Sequence, residues 1–135
     1  SRRSGRGGTW KGTAPLPTKR PLSRLRDIQE NAEAILDYVS GLDRDTFLNN
    51  RLVYDATERC LSRLSEAAVK LGSLAAEILP GHDWLGMRNL GNILRHDYDG
   101  VSKDVVWKIV RDRLPPLLAD VNQILSRYPE DQDDL

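Results

Sequence analysis

At 135 residues, with 39% hydrophobic and 30% charged side chains, the chain fits one globular domain and is short for two. No apolar run approaches the roughly 18 residues of a membrane span, and none follows the basic start, so neither a transmembrane helix nor a secretory leader is predicted. Cys60 is the single cysteine, which excludes a disulfide within one chain and fits a cytoplasmic location.

The formal net charge of zero conceals an asymmetry. Residues 1–20 carry six bases and no acid, leaving 14 bases against 20 acids in the rest. An acidic body argues against broad, non-specific nucleic-acid binding, so any RNA contact is expected at a local cleft with its own bases. Ser1 to Pro21 is rich in Gly, Pro, Ser, Arg and Lys, with Trp10 as its one apolar anchor, and is predicted to be a disordered basic extension.

Ser23 is the expected cap of a first helix reaching about Ser40, with Leu25, Ile28, Ala32, Ile35, Leu36 and Val39 on one face. Gly41 should stop it. A turn over Asp45–Asn49 leads into a long helix predicted from Arg51 to Leu79, ended by Pro80 and Gly81. A third helix is expected from Trp84 to Asp97, capped by Asp83, with Gly100 beyond its end. Ser102 should cap a fourth helix carrying Val105, Val106, Ile109 and Val110. Pro115 and Pro116 then predict either a kink or a fresh helix running to about Tyr128. The last residues, 130–135, form an acidic tail expected to fray. The pattern is all-α, an antiparallel bundle of four to five helices over 22–129, the last one kinked or split at the double proline.

Common catalytic motifs are missing: there is no P-loop, no Cys-x-x-Cys and no His-Glu-x-x-His. The two histidines, His82 and His96, have no helical spacing that would gather metal ligands, so no metal and no cofactor is expected. Polar density on the third helix is the outstanding feature. Arg88, Asn92 and His96 stand at i, i+4 and i+8 and share one face. Spacing alone leaves two readings open, a solvated polar face or an employed surface. Trp84, Trp107 and Cys60 fall where a bundle core needs them, and Arg59, Arg63 and Glu66 read as solvated charges.

The run from Leu25 to Tyr128 resembles the HepT-like branch of the HEPN superfamily. The residues that carry the likeness are Arg24–Val39, the stretch Asp43–Leu79, Gly86-Met87-Arg88-Asn89, Arg95–Val101, Trp107 and Leu114–Leu118. The resemblance implies a small antiparallel helical bundle that dimerises. It also implies a metal-independent ribonuclease, typically the toxin of a type VII-like toxin–antitoxin pair whose partner is a MntA-like minimal nucleotidyltransferase. The family signature is Arg, a polar residue, a short spacer, His, one residue, then Tyr. Asn92, His96 and Tyr98 match it. The position of the usual arginine holds Gly91, and Arg88-Asn89 lies one turn upstream, with Arg95 as a second guanidinium beside the histidine.

On that resemblance His96 is the acid or base for attack by the RNA 2′-hydroxyl, and Arg88 stabilises phosphate charge. Asn92 orients the phosphate or the imidazole, and Arg95 and Asn89 support RNA binding. Tyr98 is either the acceptor of AMP from the nucleotidyltransferase or an aromatic ring packed at the helix terminus. Two other readings share the fold. One is a non-catalytic module for dimerisation or nucleotidyltransferase binding, and the other is a subunit that delivers nucleotides to that enzyme.

Overall fold

The computed structural model describes residues 20–96 and 103–128; within it the side chains of Arg95 and His96 are excluded. The expectations for residues 1–19 and 130–135, and the capping role of Ser102, lie outside the described residues. Among the described residues every regular element is helical, and no helix is long and apolar enough to cross a membrane.

Helix α1 spans Pro21–Tyr38. It begins earlier than Ser23 because Pro21 occupies its first turn, where a missing N–H costs no hydrogen bond and the fixed φ already suits the helix. Pro21 is buried and belongs to the bundle, not to the basic extension. Leu25, Ile28, Ala32 and Ile35 follow at helical spacing and are fully buried. The chain then turns at Gly41.

The expected turn after Asp43 is a short helix, α2, Arg44–Leu48. Asp43 and Thr46 close a reciprocal capping box: the carboxylate accepts the Thr46 N–H at 2.9 Å, and the Thr46 hydroxyl accepts the Asp43 N–H at 2.9 Å. This one turn drives Phe47 into the core, with its ring centroid 5.6 Å from Tyr54 and 5.0 Å from Trp107.

The long helix predicted to Leu79 is two elements. Helix α3 covers Arg51–Leu71 and α4 covers Leu74–Ile78. Gly72 separates them at φ 58°, a left-handed conformation that no α-helix continues through, and its N–H still bonds the carbonyls of Ala68 and Val69. The apolar spacing of Leu74, Ala75 and Ile78 runs on across the break, so periodicity alone does not reveal it.

Helix α5 spans Trp84–His96, starting where predicted. The Asp83 carboxylate accepts the Gly86 N–H at 2.9 Å. The Trp84 indole donates to the Leu79 carbonyl at 2.8 Å, closing the short loop that sends α5 back along α3.

Helix α6, Lys103–Lys108, passes through a wide π-turn, Ile109–Arg113, into α7, Leu114–Leu125. The turn answers the proline question. Pro115 and Pro116 cannot donate to the carbonyls one α-turn back. The helix widens so that the Leu114 N–H bonds the Ile109 carbonyl five residues earlier, and the chain continues helically into α7 with proline in its first turn. Leu114, Leu117 and Val121 then seal the bundle. Trp84, Trp107 and Cys60 are core residues, as read from the sequence.

Candidate functional site

Among the described residues, a buried polar side chain of α3 ties that helix to the site helix α5. Ser65, on α3, is 2% exposed among apolar neighbours. Its hydroxyl accepts the Gly91 N–H at 3.0 Å and donates to the Arg88 carbonyl at 3.1 Å. Gly91 is buried against α3. That explains the shifted arginine in physical terms: position 91 faces the core, where a guanidinium would be stripped of water with Ser65 beside it. Position 88 lies at the edge of the packed face, half-buried, with its backbone anchored.

Asn89 and Asn92 are exposed on the outer side of α5. Leu85, 64% exposed, and Ile93, 39% exposed, stand among them and leave apolar surface uncovered around a polar stripe. Arg88 and Asn92 are one turn apart, and His96 is the last residue of α5, a further turn on. The rise of 1.5 Å per residue spreads these three positions over about 12 Å of helix axis. Among the described residues no carboxylate pairs with the Arg88 guanidinium. The side chains of Arg95 and His96, and the whole of Tyr98, lie outside the described residues.

A groove of about 420 Å³ opens on the opposite flank of α5. Leu61, Leu64, Met87, Leu90 and Ile109 line it, and Asp83, Asp112 and Arg113 rim it. It contains none of the predicted site residues. His82 closes one end through a 2.8 Å contact with Asp120. Among the described residues no cluster of histidine, cysteine and carboxylate side chains could hold a metal ion.

Two residues of interest carried little signal in the sequence. Ser65 looks like an ordinary small polar residue until its place in the apolar stripe of α3 is seen. Glu58, half-buried on the same helix, looks like one more surface charge. Burial pushes its carboxyl above the ordinary value, Asp55 adds to the rise, and Lys103 opposes it.

The family model described as Ribonuclease HepT-like matches residues 28–124, from within α1 to the last turn of α7. The chain belongs to the HepT-like family. It is similar to "Putative RNase MJ1380" of Methanocaldococcus jannaschii, with 32% identity over 97 residues covering 72% of this chain and 89% of that protein. "Putative RNase MJ0127" of the same organism shares 29% over 111 residues, 82% of this chain and 92% of its own length. "Probable ribonuclease HepT" of Thermococcus cleftensis shares 29% over 93 residues, 69% of this chain and 84% of its own. No solved structure matches at a significant level. The HepT-like likeness thus spans nearly the whole length of these relatives and includes the helix that carries Arg88, Asn92 and His96.

Proposed function

We propose that this HepT-like protein is a metal-independent endoribonuclease whose site is built on the outer edge of α5. The observation that carries the reading is the unbroken helix placing Arg88, Asn92 and His96 at successive turns, within a segment matched by a ribonuclease family. His96 moves the proton, since an imidazole changes charge near neutral pH. The 2′-hydroxyl of the RNA attacks the adjacent phosphorus. The bond to the 5′-oxygen breaks, and that oxygen takes up a proton. Arg88 neutralises charge gathering on the non-bridging oxygens, Asn92 orients the phosphate, and Arg95 and Asn89 extend the RNA contact. The products are a 2′,3′-cyclic phosphate and a 5′-hydroxyl, formed without a metal-activated water.

One chain offers one histidine on this helix, while the reaction needs both an acid and a base. A homodimer joined through the exposed α5 face around Leu85 and Ile93 supplies two. The protein acts as the toxin of a toxin–antitoxin pair, and a MntA-like nucleotidyltransferase silences it by transferring AMP to Tyr98. The adduct brings bulk and negative charge beside an RNA site. Cleavage of RNA by the purified protein in EDTA, with analysis of the product termini, tests the chemistry. Mass spectrometry after co-expression with a MntA-like enzyme tests Tyr98.

A second reading has one observation in its favour. Gly91, where the family signature has arginine, is buried against Ser65, so the usual guanidinium has no equivalent at that position. A non-catalytic HepT-like module that binds a nucleotidyltransferase would tolerate that loss. Its mark is stable complex formation with no RNA cleavage.

A further inference from the structure

Helix α3 packs between α1 and α5, and helix geometry sets the outer surface of the three. On α3, Leu61, Leu64, Ala68 and Leu71 are buried, and the exposed residues on the opposite side include Arg59, Arg63, Glu66 and Lys70. On α5, Met87 and Leu90 turn to the groove, so Arg88 and Asn92 take the other flank. The two helices run antiparallel, so their turns progress in opposite senses when seen from one end. That brings the Arg88 flank of α5 to the same side as the basic row of α3. Ser65 meets α5 between Arg88 and Gly91. Arg88 therefore stands level with the middle of the row, one helix width of about 8–10 Å away. Beyond the row a cleft of about 250 Å³ lies between α3 and α1. Buried Ala67 leaves it open, with Arg63 and Lys70 on one wall and Arg24 and Asn31 on the other. The Arg24 Nε is a buried donor with no acceptor among the described residues.

The carboxylates interleaved on this face are already engaged. Asp27 holds Arg24 at 3.2 Å, Glu66 holds Lys70 at 3.9 Å, and Asp55 holds Arg51 at 3.5 Å. Among the described residues no carboxylate pairs with Arg59, Arg63 or Arg88, so these three are the cations in surplus. We propose that this face is a track for single-stranded RNA, its phosphates passing from Arg88 over Arg59 and Arg63 to the α1–α3 cleft. This rests on the ribonuclease reading and gives the course of the strand beyond the α5 site. Arg59 and Arg63 are one turn apart, about 6 Å along α3, so they can grip neighbouring parts of one backbone. A guanidinium fork matches the oxygens of a phosphate, and at the end of the track the Arg24 Nε gains the acceptor it lacks. No aromatic ring lines the cleft, so the track holds the backbone and does not stack bases. It adds affinity without sequence preference.

The test is binding of a fluorescent, fully 2′-O-methylated single-stranded RNA to the full chain, read by anisotropy across a salt series. Such an RNA has no free 2′-hydroxyl to attack, so binding is measured without cleavage. Wild type is compared with the double variant Arg59→Gln/Arg63→Gln, and with Lys108→Gln on α6 as a control. Each phosphate contact contributes about 0.7 to the slope of log affinity against log salt for a single strand. The double variant should therefore lose about 1.4 from the slope, and the control nothing. Arg59→Lys/Arg63→Lys keeps both charges and should keep most of the slope. On a cleavable RNA the double variant should raise KM about tenfold with kcat little changed, as loss of uniform binding does. An unchanged slope in a folded double variant overturns the track, and so does a wild type that does not bind. Equal binding of poly-glutamate, lost in the same variant, also overturns it and marks the row as a dock for an acidic protein. Absence of cleavage by the wild type overturns the ribonuclease reading instead, while the salt slope still reports on the track.

Discussion

The Ser65 hydroxyl touches α5 twice, at the Gly91 N–H and the Arg88 carbonyl, so one buried side chain fixes both the height and the rotation of the site helix. Removing it leaves backbone groups that retain helical partners, and Ser65→Ala should cost about 1 kcal/mol in urea unfolding. The larger consequence is at Gly91. Gly91→Arg, which writes the usual signature back into the chain, should destabilise by about 2 kcal/mol or more through overpacking and a buried charge, and should not raise activity. A stable, more active Gly91→Arg protein would contradict the placement of that residue.

Much of this was legible in the sequence, and the failures have common causes. Apolar periodicity located α1 and α3, and Asp83 marked the start of α5 correctly. Periodicity did not see the break at Gly72, because Leu74, Ala75 and Ile78 keep the helical count across it. It could not choose between a kink and a fresh helix at Pro115, because the π-turn is a backbone response spread over Ile109–Arg113. The stripe of Arg88, Asn92 and His96 follows from helical spacing. The reason position 91 holds glycine does not, since it depends on a contact with a residue 26 positions away.

The start of α5 makes a second prediction. The Asp83 carboxylate caps the Gly86 N–H, and a Cβ at residue 86 would collide with that same carboxylate. Asp83→Ala should cost about 1 kcal/mol. Gly86→Ala should cost a comparable amount despite the better helix propensity of alanine, because the cap is pushed away. Both changes remove one interaction, so the double variant should fall short of the sum in a thermal or urea double-mutant cycle.

The exposed face of α5 makes a third. Leu85→Glu combined with Ile93→Glu places charge on both apolar residues of the proposed dimer face while leaving the core intact. Sedimentation should show a monomer with an unchanged melting temperature, and cleavage should fall at least about tenfold if each site needs two chains. A dimer that survives both charges contradicts this interface.

The capping box of α2 gives a prediction in pH. The backbone N–H and hydroxyl of Thr46 hold the Asp43 carboxyl below its ordinary value of 3.8. A carboxyl depressed by folding contributes stability that is present above its unfolded pKa and lost as the pH falls through its folded one. Asp43→Ala should therefore melt lower than wild type at neutral pH, with a difference that stays level down to about pH 5 and fades below about pH 4. A difference that persists undiminished at lower pH would show that the charge is not what caps the helix.

The central claim is that the stripe on α5 performs metal-independent RNA cleavage. The measurement that addresses it most directly is cleavage of a defined RNA in EDTA by wild type, His96→Ala and Arg88→Ala, each verified as folded, with the product ends identified. The account predicts 2′,3′-cyclic phosphate and 5′-hydroxyl ends from the wild type. It predicts a loss of about 100-fold or more for His96→Ala and a loss of the same order for Arg88→Ala. Cleavage that survives both substitutions, or that stops when EDTA is added, would contradict it.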